Sequence, residues 1–319
     1  MEKSIFKLGQ LEFQSQFIQG PLAGYSCSAF RELIWNYGGL AYACSEMLSA
    51  KDLVNRPKQP LRYINRAKNE RYLCVQIAGH QPEILALAAQ RAIDDLQADI
   101  IDLNCGCPKP KIRRKGYGSK LVENPIQLSQ CVSAMREITT KPITVKIRLQ
   151  KQLSLDRENI AAIEASHADA IIIHPRTWQE DYHVHCDWEY MKQCISSSTI
   201  PIIANGDIAT LSDSKKIFKE LNCAAMMVSR ASTGKPWLFK QLSDPLFPQP
   251  DRKTIGQLLI QHVQKLAELE GNHRALLQSR TLIKYYARAA NLVSAKQLAR
   301  RQHARMIEFI QDVQDIFDH

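Results

Sequence analysis

The 319-residue sequence has no long apolar run: runs such as Ala170 to Ile173 are strand-sized. A membrane-spanning helix is therefore not expected. The first residues, Met1-Glu2-Lys3-Ser4, do not open the apolar stretch of a secretory signal. There is no CxxC pair among the nine cysteines. An odd, scattered set argues against a secreted disulfide framework and for a reducing, cytoplasmic location. Cys105 and Cys107 alone, with no nearby Cys or His pair, make a poor metal site, and no metal is expected. No strand-like run is followed by GxGxxG, which speaks against an open dinucleotide-binding sheet. Internal repeats and low-complexity tracts are also missing. Acidic residues are scarce in two places. Residues 109–120 hold six cations and no acid, and residues 274–305 hold eight and none.

What is present is an alternation of short apolar runs and amphipathic segments up to about residue 230. Eight runs, centred near Ile18, Tyr42, Val75, Ile101, Val145, Ile172, Ile203 and Met227, read as buried strands. As a set they lack strict apolar–polar alternation, as parallel strands covered on both faces do. Helices are expected between them, for example Pro82 to Leu96 and Pro125 to Ile138, the latter with Asn124 as N-cap. The expected fold class is α/β, a (β/α)8 TIM barrel. Three prolines between Ser243 and Asp251 mark a break. Beyond it the periodicity is helical, over residues 253–270, 275–290 and 294–317. The predicted organisation is a barrel over 1–242, a linker over 243–252 and a C-terminal all-α helical domain over 253–319.

Polar residues collect at the expected C-terminal strand ends, where a barrel gathers its site. The first strand runs into Pro21-Leu22-Ala23-Gly24, small residues that let backbone approach a flat ligand. Gln76 ends the third strand, Lys146 and Arg148 lie on the fifth, and His174 and Arg176 follow the sixth. A lysine within an apolar run needs a partner, either a carboxylate such as Asp102 or an anionic or carbonyl-bearing ligand. Asn205-Gly206-Asp207 and Ser229-Arg230 end the last two strands, the recurrent phosphate position of such barrels. Cys107, beside Gly and Pro at the end of the fourth strand, is the candidate acid or nucleophile. The basic loop after it carries Lys109, Lys111, Arg113, Arg114 and Lys115. Arg280, Lys284 and Arg288 share one face of a helix, Arg300, Arg301 and Arg305 continue the charge on the next, and solvated helices usually mix signs. These acid-free stretches point to a nucleic acid. Tyr285 and Tyr286 among them either stack on bases or pack inward. The net charge of +10 is not confined to this tail: residues 1–239 carry 30 cations and 24 acids, residues 240–319 carry 12 and 8.

These motifs resemble those of the tRNA-dihydrouridine synthases along nearly the whole chain. They comprise Pro21-Leu-Ala-Gly24 with Phe30-Arg31, Ser45-Glu46-Met47, Val75-Gln76, Asp102-Leu-Asn-Cys-Gly-Cys-Pro108 with Lys115-Gly-Tyr-Gly-Ser119, Val145-Lys-Ile-Arg148, His174-Pro-Arg-Thr177, Asn205-Gly-Asp207 and Ser229-Arg-Ala231. The resemblance implies an FMN-dependent reduction of the C5=C6 bond of a tRNA uridine, with NADPH or NADH as transient reductant. It implies Cys107 as proton donor. Pro21, Leu22, Ala23, Gln76, Lys146, His174, Asn205, Gly206, Asp207, Ser229 and Arg230 would contact FMN. Asn104 and Arg176 would read the uracil edge, and the basic loop and helical tail would hold tRNA. No obligate protein partner is implied. The sequence departs from the family pattern at Ser229, where Gly is usual, at Trp178 and Glu180, where Arg and Gln are usual, and at Cys27, where Asp is common. The alternatives are an FMN-barrel enzyme acting on a small pyrimidine, which needs no acid-free tail, and a non-catalytic tRNA-binding protein, which needs no flavin.

Overall fold

The computed structural model describes residues 6–55, 61–292 and 300–318. Eight parallel strands close into a barrel: Phe17–Gln19, Ala43–Cys44, Leu73–Ala78, Ile100–Cys105, Ile143–Arg148, Ala170–His174, Ile202–Asn205 and Ala225–Val228. The last pairs with the first, Met227 opposite Ile18, and the second with the third, Ala43 opposite Leu73. A short piece, Leu48–Ser49, continues the second strand beside Ile77. Helices Pro82–Asp94 and Pro125–Glu137 cover the outside. Asn124 caps the second of these, its Oδ1 accepting from Gln127 N at 3.1 Å, with Pro125 in the first turn.

Residues alternate between barrel lumen and helical shell. On the fifth strand Ile143, Val145 and Ile147 pack outward into the shell. Thr144, Lys146 and Arg148 occupy the opposite, inward positions. At the N-terminal end the lumen is apolar, filled by Ile18, Tyr42, Ile100, Ile172 and Ile203. A hairpin absent from the sequence-based expectation, Phe6–Leu8 with Leu11–Phe13, plugs that end with Phe6, Leu8 and Phe13. With one end sealed, the polar residues are confined to the C-terminal mouth.

Beyond the irregular segment containing Pro245, Pro248 and Pro250, helices Arg252–Glu270 and Asn272–Ala289 pack antiparallel across a turn at Gly271, whose φ is +82°. They dock on the barrel. His262 stacks on Phe30 at 5.5 Å, Tyr25 meets Tyr285 edge-on at 5.6 Å, and Lys265 pairs with Glu32 at 2.6 Å. Arg62, 6% exposed, bridges Glu46 at 2.7 Å and Glu270 at 3.0 Å. The helix expected over 294–317 is shorter. Residues 293–299 lie outside the described residues, and 300–305 are not helical. The described helix is Met306–Phe317, begun where the Glu308 side chain accepts from the backbone N–H groups of Ala304 and Arg305. Arg300, Arg301 and Arg305 therefore precede the helix, and Arg301 and Arg305 pair with Asp312 and Glu308. No helix among the described residues is long and apolar enough to cross a membrane.

Candidate active site

A cavity of about 810 Å³ opens at the C-terminal mouth of the barrel. One wall is Pro21-Leu22-Ala23, and Gln76, Asn104, Lys146, Asn205 and Met227 form its floor. The floor is a connected polar layer. Asp102, fully buried, accepts from Gln76 Nε2 at 2.6 Å and from Thr144 Oγ1 at 2.6 Å. Gln76 Oε1 accepts from Asn104 Nδ2 at 2.8 Å. Lys146 Nζ donates to Asn205 Oδ1 at 2.7 Å, and Asn205 Nδ2 to Met227 O at 2.8 Å. Burial raises the Asp102 carboxyl to about 6 against the pull of these bonds and of Lys146. Burial likewise brings the Lys146 ammonium down to about 8, with Asp102 opposing the shift. Lys146 therefore has an amide acceptor and a carboxylate in electrostatic reach, yet its charge is incompletely compensated.

The opposite end of the cavity is cationic. Arg230 lies over the Tyr182 ring at 3.4 Å and 3.8 Å from Asp207. Arg148 donates to the carbonyls of Thr177 at 2.7 Å and Glu180 at 3.2 Å, pinning the loop that carries Tyr182. His174 is held far below its usual range by burial, with Lys146, Arg148, Arg176 and Arg230 adding to the effect, so its ring is neutral. Its Nε2 accepts from Arg176 at 2.9 Å, which places the remaining ring proton on Nδ1. Gly206 has φ +123°, and a Cβ there would lie 2.7 Å from His174 Cδ2. Only glycine fits this position. Ser229 and Arg230 begin a short 3-10 turn, with Ser229 O accepting from Ser232 N at 3.1 Å.

Arg176 does not reach the cavity. It is 1% exposed, and its guanidinium is spent on both Asp207 oxygens at 2.7 Å, on Val184 O at 2.6 Å and on His174. The sequence pattern suggests a place at the uracil edge; the structure makes Arg176 a brace behind His174 and Asp207. Although burial pushes the Asp207 carboxyl up, Arg176 and the Cys186 N–H hold it below the usual range.

Cys107 is half-buried in the cavity wall next to Pro108 and Lys109. Its N–H donates to Asn104 Oδ1 at 3.0 Å, and its carbonyl accepts from Ser119 N and Oγ, each at 3.1 Å. The thiol-bearing turn is thus tied to the floor and to the basic loop. Cys105 faces the outer shell instead. Lys109 lines the cavity, while Lys111, Arg114 and Lys115 are exposed outside it. Arg113 is occupied: it pairs with Glu123 at 2.6 Å and lies 3.8 Å over the Trp178 ring. Trp178 and Glu180, both departures from the family pattern, belong to the loop folded over the mouth. Glu180 accepts from Thr177 N at 2.6 Å and faces Lys151 at 3.6 Å. On helix Asn272–Ala289, Arg280 and Arg288 are exposed and Lys284 half-buried. Of the two tyrosines, Tyr286 is buried against His262, at 3.2 Å from its Nδ1, and Tyr285 packs on Tyr25. Tyr182 lines the cavity without having been expected there from the sequence, and Arg148, placed at the end of the fifth strand by the sequence without a ligand role, lines it as well. The signal for Arg148 was its place two residues after Lys146.

A family model described as Dihydrouridine synthase (Dus) matches residues 18–317. A tRNA-dihydrouridine synthase B of Shewanella oneidensis is 30% identical over 289 residues, covering 88% of each chain. A probable tRNA-dihydrouridine synthase of Treponema pallidum is 30% identical over 246 residues, 73% of this chain and 72% of the relative. Among solved structures, histamine dehydrogenase from Rhizobium sp. 4-9 superposes with a TM-score of 0.60 at 13% identity, over 88% of this chain and 50% of that one. DHODH from Eimeria tenella, in complex with ferulenol, gives 0.53 at 14%, over 77% and 85%. At such identity these two share the barrel fold alone. The matched residues span the barrel, the cavity and the C-terminal helices, and the chain belongs to the dihydrouridine synthase family.

Proposed function

We propose that this chain reduces the C5=C6 bond of a tRNA uridine to 5,6-dihydrouridine, using FMN, with NAD(P)H as reductant and Cys107 as proton donor. The observation that carries this reading is one cavity holding a thiol, an incompletely compensated lysine and a cationic far end. Family membership implies a flavin, and the residues suit FMN. The volume lies within the range of small-molecule sites, roughly 300–1,000 Å³. Pro21, Leu22 and Ala23 offer a flat wall, and Gln76 and Lys146 offer donors to ring carbonyls. His174, Asn205, Gly206, Asp207, Ser229 and Arg230 suit the phosphate end. When bound and reduced, the flavin supplies the hydride that goes to uracil C6.

The remaining work falls to the chain. A uracil must leave its stack to enter the cavity. Asn104 has a spare amide N–H for a uracil carbonyl. Cys107 gives its proton to C5, and the bonds to Asn104 and Ser119 keep its backbone in place while it does so. Lys109, Lys111, Arg114 and Lys115 on one side, and Arg280, Lys284 and Arg288 on the helical unit, would hold the phosphate backbone. Arg113 would act through its stack on Trp178. This division of labour accords with a barrel over 1–242 joined through 243–252 to a helical unit over 253–319. The test has two parts. Purified protein should carry or take up FMN, and it should form dihydrouridine in tRNA but not in free uridine. A preparation that stays colourless with added FMN would overturn the enzyme reading. Equal turnover of free uridine would instead support the small-pyrimidine alternative.

A further inference from the structure

Three neighbouring strands bring Gln76, Asp102 and Thr144 into register. Asp102 sits at one end of a relay of hydrogen bonds and the Cys107 backbone at the other. The order is Thr144 Oγ1 and Gln76 Nε2 to Asp102, Asn104 Nδ2 to Gln76 Oε1, then Gly106 N at 3.3 Å and Cys107 N at 3.0 Å to Asn104 Oδ1. An ionised carboxylate accepts only, whereas an amide donates at one end and accepts at the other. Asp102 therefore forces Gln76 to turn its NH2 inward and its oxygen toward Asn104. That in turn forces Asn104 to turn its NH2 to Gln76 and its oxygen to the Cys107 turn. With either amide reversed, two donors or two oxygens would face each other in a buried layer, where an unmatched polar group is costly. We propose that Asp102 is a positioning residue for the reaction: its carboxylate sets the direction of the Gln76–Asn104 relay, and the relay holds the Cys107 turn and leaves N–H groups as the spare donors on the cavity floor. Spare donors suit a ring whose edge bears carbonyl oxygens, as both uracil and the flavin pyrimidine do. This inference rests on the proposed role of Cys107, but its stability and thiol readouts do not require that role.

Moving the carboxylate along the relay tests the proposal. In Asn104→Asp, carboxylates stand at both ends of Gln76, whose single NH2 can satisfy only one. The variant is expected to be less thermally stable and to alkylate faster at Cys107, whose thiol is the one not buried among the nine cysteines. Dihydrouridine formation should fall by about 10²-fold, the scale of a misplaced reacting group. The stability defect should shrink as pH falls, because one of the two carboxyls then takes a proton and can donate. Adding Asp102→Asn should rescue it. Gln76 then reverses, donating to the carboxylate now at position 104 and accepting from the amide now at position 102, whose oxygen still accepts from Thr144. The carboxylate also stays beside Lys146, which is opposite residue 104 in the register. The double variant is thus expected to recover most of the melting temperature and the alkylation rate of the parent. If the two substitutions simply add, or if Asn104→Asp has no effect on either readout, the relay does not run through Gln76 and the proposal fails. Turnover should stay low in the double variant, because a carboxylate at position 104 cannot donate to a uracil carbonyl, so melting temperature and alkylation rate decide the test.

Discussion

Lys146→Met should make the flavin-free protein more stable while removing its ability to hold FMN. The variant keeps the length of the side chain and deletes the ammonium. Burial brings that ammonium from 10.5 to about 8 in the folded chain, with Asp102 opposing the shift. At about 1.4 kcal/mol per pH unit this disfavours the charged form by ~3 kcal/mol at neutral pH. One loss offsets the gain: Asn205 Oδ1 loses its donor, at about 1 kcal/mol. The attraction of Asp102 is already contained in the shift. A net gain of about 2 kcal/mol remains, or a few degrees of melting temperature at roughly 2–4 °C per kcal/mol. The pH dependence carries a sign that a packing effect would not. The unfolded chain keeps the lysine proton up to about 10.5 and the folded chain releases it near 8. Between those values the unfolded state binds more protons, so parent stability should climb with pH. Chemical denaturation of flavin-free protein at pH 7 and pH 9.5 measures both effects. An unfolding free energy that drops in Lys146→Met, or a climb with pH that persists there, would refute the reasoning and make Lys146 a net stabilising partner of Asp102.

Cys107→Ala should leave FMN and tRNA affinity near the parent values and lower dihydrouridine formation by roughly 10²–10⁴-fold, the usual contribution of a positioned acid; single-turnover assays with pre-reduced enzyme read it, and unchanged turnover would remove Cys107 from the role. Arg280→Ala and Lys284→Ala should each weaken tRNA binding and flatten its salt dependence by somewhat under one unit of log–log slope for each phosphate no longer neutralised. An unaltered slope in a filter-binding titration would return that face to ordinary solvated charge. Gly206→Ala combines a backbone with φ +123° and a Cβ thrust against Cys186 and His174. Strain and overpacking each cost about 1–3 kcal/mol. Its melting temperature and FMN retention should both fall, and retention of both would show that the turn relaxes freely.

The barrel was legible because its strands are written as separate apolar runs, and the site because its polar residues interrupt those runs at fixed places. The fifth strand is clearest. Ile143-Thr-Val-Lys-Ile-Arg148 placed a lysine and an arginine in an apolar run, and the structure shows that with Thr144 they share the inward face while the apolar residues between them form the shell. What could not be read was how each polar side chain divides its bonds. Arg176 resembles a ligand-binding residue in sequence but is consumed by Asp207, 31 positions on. Tyr286 sits amid cations in sequence, yet its hydroxyl meets His262 in the adjacent helix. Such partners are set by the closure of the barrel and the docking of the helices, not by local pattern. The N-terminal hairpin escaped notice for a related reason: three-residue strands are too short for periodicity, and their phenylalanines acquire a purpose only against the open base of the barrel. Asp102 shows both sides. Its place in Asp-Leu-Asn-Cys was plain, but its significance lies in being a carboxylate among amides, with acceptors only and nowhere to turn. A buried layer in which one residue has no freedom of orientation transmits that constraint to every neighbour able to reverse. That is how a residue with no exposure of its own can govern the residues that line the cavity.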